Sequence, residues 1–233
     1  MKYLIIVSFG VLLLISKNIK ADGMVVDKVY HPYVLPNETE FEWRVLSRQN
    51  EGENILSQRI GYGHAISETV TIEGYLIGER DGDGDFGLQA YEVETRIQLV
   101  EQGRYWADWG VLIEVEKEHQ KENYEFTSGI LFEKEINKTS LALNAFLVYE
   151  WGSDIKDEIE VEFRAQYRYR WKPQFQPSIE LYTGEDFVGI GPGFMGLQRF
   201  IGQKQLKWEA GFITEVGGGG KDHSFHFALE YEF

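Results

Sequence analysis

From Ile159 to Trp171 the chain alternates without a break. The odd positions, Ile159, Val161, Phe163, Ala165, Tyr167, Tyr169 and Trp171, are apolar or aromatic, and the even ones, Glu160, Glu162, Arg164, Gln166, Arg168 and Arg170, are polar. A helix would scatter both sets around its axis, whereas a pleated strand sends them to opposite faces. The same split sets Phe41, Trp43 and Val45 against Glu40, Glu42 and Arg44, and Tyr91, Val93, Thr95, Ile97 and Leu99 against Glu92, Glu94, Arg96 and Gln98. It ends with Phe225, Phe227, Leu229, Tyr231 and Phe233.

Twelve segments carry this period: 38–47, 54–63, 69–78, 87–99, 105–116, 123–133, 140–150, 159–171, 178–184, 194–201, 205–215 and 224–233. The ninth and tenth are the least regular, so ten or fourteen strands remain open. Most segments are about nine to thirteen residues long, while strands of globular domains average about five or six and a tilted membrane-spanning strand needs about 9–11. The connections alternate too. One set is compact (64–68, 100–104, 135–139, 172–177, 202–204); the other is rich in glycine and charge (47–53, 79–86, 117–122, 152–158, 185–193, 217–223). Short periplasmic turns and longer external loops alternate in this way in outer-membrane barrels. With both termini periplasmic, an even strand number follows.

A secreted barrel or sandwich also alternates, with its apolar face turned inward. Three features favour lipid outside: paired charges on the polar face, the aromatic end to the last strand, and aromatic residues at strand ends. Those residues are Trp43, Trp106, Trp109, Tyr149, Trp151, Tyr169, Trp171 and Tyr231, placed as interfacial girdles are. The expectation is therefore an all-β, antiparallel transmembrane barrel of about twelve strands, a single domain over residues 38–233.

The N-terminus reads as an export signal over residues 1–21. Lys2 precedes an apolar run from Tyr3 to Ile15, and Ala21 stands before Asp22-Gly23. That run is too short for a spanning helix, which needs about 20 apolar residues. Its removal takes three lysines and no acid, moving the formal net charge from −15 to −18. So acidic a chain is not drawn to nucleic acid by long-range attraction. There is no cysteine, which excludes disulfides, thiolate metal sites and cysteine nucleophiles. Residues 22–37, with Pro32 and Pro36, lack the strand period. They read as a periplasmic arm or as a plug folded into the lumen, the arm being favoured because chain termini are usually loosely held.

The ending Phe225-His226-Phe227-Ala228-Leu229-Glu230-Tyr231-Glu232-Phe233 resembles the C-terminal recognition strand of bacterial outer-membrane proteins. Further stretches resemble a loosely defined proteobacterial family of porin-like, transporter-like outer-membrane barrels: His31-Pro32-Tyr33-Val34, Glu40-Phe41-Glu42-Trp43-Arg44, Tyr75-Leu76-Ile77-Gly78-Glu79 and Tyr105-Trp106-Ala107-Asp108-Trp109-Gly110. The resemblance implies the Gram-negative outer membrane as address. It implies lipid, lipopolysaccharide, periplasmic chaperones and the barrel-assembly machinery as partners. The assembly signal it points to is Phe225, Phe227, Leu229, Tyr231 and Phe233. No active-site residue carries over from it.

With the apolar stripe outward, the lumen is lined by Glu42, Arg44, Glu94, Arg96, Glu160, Glu162, Arg164, Arg168 and Arg170. Such charges either orient polar solutes in a channel or pair across strands and close the interior. The expected function is a narrow channel for passive transport of small polar solutes, with a closed structural or adhesion barrel as the alternative. A barrel-embedded lipid hydrolase is the third class, and no motif supports it: Ser224 adjoins His223, but sequence neighbours on a strand face opposite ways. No cofactor is expected and no metal site is assigned. Asp81, Asp83, Asp85 and Glu92 imitate a calcium loop, but Phe86 stands where the loop needs glycine. His223 and His226 lack further ligands nearby. Gly189, Gly191 and Gly193 with Pro192 have no strand-to-helix context and read as bend glycines.

Overall fold

The computed structural model describes residues 25–49, 54–80, 84–185, 187–202, 204–216 and 222–233. The export signal read at 1–21 lies outside these residues, as do Asp81 to Asp83.

Twelve strands follow one another: β1 (Thr39–Gln49), β2 (Asn54–Ala65), β3 (Val70–Arg80), β4 (Phe86–Gln98), β5 (Asp108–Glu118), β6 (Asn123–Ile136), β7 (Thr139–Gly152), β8 (Glu158–Tyr169), β9 (Gln176–Thr183), β10 (Val188–Arg199), β11 (Gln205–Glu215) and β12 (His223–Glu232). Each pairs with its neighbours in sequence, and β12 pairs antiparallel with β1, so the barrel closes. Closure leaves no open edge to recruit another chain. At the seam, Thr39 and Phe233 exchange backbone hydrogen bonds of 3.2 and 2.9 Å. The rim holding this seam is called the terminal rim below, and the opposite one the far rim.

Which face is apolar separates a membrane barrel from a soluble one. Ile60, Phe163 and Ile179 point outward and remain 60%, 51% and 58% exposed, while Glu40, Glu42, Arg44, Glu92 and Glu94 are buried inside. Water does not tolerate a continuous apolar band of this kind, and lipid requires one. Aromatic groups flank the band. Near the terminal rim Phe41 lies 5.2 Å from Tyr62 and 5.8 Å from Phe233, and Trp109 lies 5.0 Å from Phe132. Near the far rim Trp151 stacks on Tyr124 and Tyr149 at 5.5 and 5.1 Å. Such girdles mark the two water–lipid interfaces. Phe225, Phe227, Leu229, Tyr231 and Phe233 all lie on the outer face, with Phe225 and Phe233 exposed and the rest half-buried.

Three expectations need correcting. The glycine stretch from Gly189 to Gly193 is not a loop; it belongs to β10, which begins at Val188 rather than at 194. Gly189 and Gly193 face inward between outward Val188, Ile190, Pro192 and Phe194, so the period continues there without a polar signal. The ladder with β11 skips Gly191 and Pro192, consistent with a residue that has no N–H to give. Second, the rims do not differ consistently in loop length. The far-rim links (50–53, 81–85, 119–122, 153–157, 184–187, 216–222) are no longer as a class than the terminal-rim ones (66–69, 99–107, 137–138, 170–175, 200–204). The strands run on beyond the expected ends, to Gln49, Arg80, Glu118 and Gly152, in β1, β3 and β5 through residues polar on both faces. Third, β8 stops at Tyr169, so Arg170 and Trp171 belong to a turn.

Candidate functional site: the threaded lumen

The lumen is occupied by the chain's own residues 25–36. Starting at the terminal rim, the Val34 amide donates to Gln98 Oε1 at 2.9 Å and the Tyr33 hydroxyl to Asp108 at 3.1 Å. His31 Nδ1 sits 2.7 Å from Glu133. Deeper in, Tyr30 donates through its hydroxyl to Glu94 at 2.8 Å, and Lys28 Nζ reaches Glu42 at 2.8 Å and Glu230 at 3.1 Å. Val25, Val26 and Val29 then pack with Leu46, Ala142, Tyr182 and Ile213 into a small apolar core inside the barrel. Tyr30 nucleates a second one with Leu112, Leu131, Phe146 and Val148. The tail favoured on sequence grounds is thus an inserted segment, reaching from the seam to Gly184 at the far rim.

Two inward positions are small where this segment passes. A Cβ built on Gly110 would lie 2.9 Å from Pro32 Cβ, and one on Gly184 would lie 2.6 Å from Val25. Side chains there would compete with the segment for the same space, because contacts below about 3.5 Å between carbons are repulsive.

The nine residues expected to line the lumen fall into separate settings. Arg44 bonds Glu42 at 3.0 Å and Asp27 at 3.1 Å. Arg164 bonds Glu162 at 2.9 Å and reaches Asp27 at 3.4 Å. Arg59, which the sequence did not single out, lies 4.0 Å from the same Asp27 carboxylate and 2.5 Å from Glu92. Asp27 therefore gathers three guanidinium groups from β1, β2 and β8. Arg96 pairs with Glu73 at 2.5 Å and Arg168 with Glu133 at 3.1 Å. Arg170 is set apart: from the turn after β8 it bonds Glu135, near the end of β6, at 2.5 Å at the terminal rim, outside the lumen waist. Glu94 meets Tyr30, and Glu160 lies near Glu158 and Glu185, their carboxylate oxygens within 4.8 Å.

Sequence reasoning missed Asp27, Lys28, Tyr30, Tyr75 and Asn144. Tyr75 was within reach of parity, since Glu73 fixes that face of β3 as inward; its hydroxyl donates to Glu42 at 2.7 Å and also contacts Glu73. His223 and His226 lie on opposite faces of β12, so they do not converge on one ion. His223 stacks on Phe212 outside, and His226 bonds Glu180 at 2.8 Å inside. Ser224 is buried on the inner face, pointing away from the His223 ring.

Cavities open on either side of the packed waist. The one at the terminal rim, about 270 Å³, is bordered by Leu35, Glu38, Arg199 and Phe233. The one toward the far rim, about 220 Å³, has eight carboxylates in its wall against two arginines, Arg59 and Arg164. Strand register explains that excess. Glu92 on β4 stands directly opposite Glu116 on β5, Glu116 opposite Glu125 on β6, Glu125 opposite Glu150 on β7, and Glu150 opposite Glu158 on β8. Directly opposed like charges repel and cost stability, and this arc sets them side by side across five strands.

No protein-family model matches the chain, and no curated protein sequence matches it. Its fold is similar to that of an outer membrane channel from Pseudomonas putida F1, with a TM-score of 0.61 and 12% identity over 89% of this chain and 100% of that one. It is also similar to the KdgM porin in complex with disordered oligogalacturonate, at a TM-score of 0.54 and 10% identity over 83% and 99% of the two chains. The outer membrane protein Omp33 of Acinetobacter baumannii aligns at a TM-score of 0.50 and 8% identity over 85% and 99%. At these identities the likeness is one of architecture: this chain has the fold of an outer-membrane barrel.

Proposed function

We propose that this barrel sits in the outer membrane with its far rim outward and is a narrow channel for small polar solutes, with cations preferred. Lipid and lipopolysaccharide are its surroundings in this reading, and the barrel-assembly machinery and periplasmic chaperones handle it on the way. The observation that carries the reading is the acidic wall of the far-rim cavity, eight carboxylates against two arginines. A net acidic lining attracts cations and repels anions. The KdgM porin was solved with oligogalacturonate, a polyanion; the wall described here points to solutes of the opposite sign. Residues 25–36 act as the resident occupant of the waist. They are held by side-chain bonds and packing rather than by strand pairing, so they can be withdrawn without breaking the barrel.

A planar-bilayer recording on refolded residues 22–233 tests this. The expected result is low or intermittent conductance with K⁺ preferred over Cl⁻, rising when the inserted segment is loosened by Asn144→Ala. Silence in both proteins, with the barrel folded by circular dichroism and heat-modifiable gel mobility, overturns the channel. The packed waist would then favour a closed structural barrel, the second reading this interior supports.

A further inference from the structure

We propose that the far-rim cavity holds a divalent cation, Ca²⁺ by its size, on the carboxylates of Glu92, Glu114 and Glu116. Register brings the three together: Glu116 stands opposite Glu92, and Glu114 opposite Glu94, across the β4–β5 ladder. One carboxylate oxygen from each lies within 4.8 Å of the others. A Ca²⁺ ion bound at 2.3–2.6 Å has a coordination shell about 4.6–5.2 Å across, which accommodates that spread; Mg²⁺, at about 2.0–2.1 Å, draws its ligands closer.

Proximity of acids alone would prove little, but one of these side chains is buried with bonding capacity unused. Glu92 is 1% exposed and its Oε1 has no hydrogen-bond partner among the described residues, Arg59 having taken Oε2 at 2.5 Å. Glu114, 9% exposed, is buried beside it. Buried polar oxygens are normally satisfied, and this one belongs to a glutamate cluster beside a cavity lined by Glu114 and Glu116. Ca²⁺ takes six to eight oxygen ligands. Three carboxylates supply part of that shell and cavity water the rest, for which a cavity of about 220 Å³ has room. The ion would also relieve the like-charge register of β4 and β5. This holds whether or not the barrel conducts.

The test is titration calorimetry with CaCl₂ on refolded residues 22–233, in a zwitterionic detergent free of lipopolysaccharide, which itself binds Ca²⁺. One saturable site per barrel is expected, weakened at least tenfold by the double variant Glu114→Gln, Glu116→Gln. Glu122→Gln, in an exposed far-rim loop, should leave it unchanged. No saturable binding by the wild type, or equal binding by the double variant, overturns the proposal. Should the double variant fail to fold, anomalous diffraction from Mn²⁺-soaked wild-type crystals decides: a peak between the three glutamates supports the site, and its absence there overturns it.

Discussion

The side-chain amide of Asn144 bonds both backbone groups of Tyr30, accepting from its N–H at 2.8 Å and donating to its carbonyl at 2.9 Å. One β7 side chain thereby does for the inserted segment what a neighbouring strand does for a barrel strand. Both residues are buried, so neither backbone group has water as an alternative partner. Asn144→Ala leaves two polar groups unpaired at about 1–3 kcal/mol each, which together approach the free energy that holds a short segment in place. The expected outcome is a folded barrel in which added protease cleaves near Tyr30 many-fold faster than in the wild type, read by mass spectrometry of the fragments.

Asp27 is the second anchor, and its loss should be felt less. Arg44, Arg59 and Arg164 keep Glu42, Glu92 and Glu162 as partners when Asp27 is removed, so no guanidinium is left bare. A hydrogen bond to a charged group is worth about 1.5–3 kcal/mol, and an asparagine at 27 still offers one acceptor. Asp27→Asn is expected to loosen the segment by an amount within that range, whereas Asp27→Lys places a fourth cation among three and should expel it. Amide hydrogen exchange over residues 25–36 checks both; equal protection in the lysine variant and the wild type would remove Asp27 as an anchor.

Gly184 gives a test that spares every hydrogen bond. The three atoms nearest to a Cβ built there all belong to Val25. Gly184→Leu therefore conflicts first with the inserted segment. It should displace Val25 and raise exchange across residues 25–29, while the barrel's unfolding midpoint moves little. Combining it with Val25→Gly should restore protection, because the space is returned. Additive damage in the pair would show that the two residues do not share it.

The strands were legible in sequence because each is a two-faced object, and their boundaries were legible only where the two faces meet different solvents. From Glu160 to Arg168 lipid and lumen impose opposite demands, and parity named Glu42, Arg44, Glu94, Glu160, Glu162, Arg164 and Arg168 as inward. At the far rim Arg48, Gln49, Glu79 and Arg80 continue strands with water near both faces, so no alternation marks them. In β10 glycine stands on the inward side and carries no hydropathy of its own. The inserted segment was illegible for a further reason: Tyr33, His31, Tyr30 and Lys28 each meet a different wall, and no period survives. The acidic arc could not be read from any one strand either, because it exists only once the register of β4 to β8 is known.

The outward assignment of the apolar stripe has its own test at Phe163. This ring lies on the middle of β8 and is 51% exposed, and its registered neighbours, Ala145 on β7 and Thr183 on β9, leave it no protein pocket. Phe163→Arg then puts a guanidinium into hydrocarbon, which at the midplane of a membrane barrel costs about 2–4 kcal/mol. Arg164→Phe, one position on, faces the lumen instead and costs through the bonds lost to Glu162 and Asp27. Reversible urea unfolding in phosphocholine vesicles separates the two mechanisms. Phe163→Arg should recover stability when moved to short-chain detergent, where water reaches the ring position, and Arg164→Phe should not. A Phe163→Arg barrel as stable in vesicles as the wild type would mean that this face does not meet lipid.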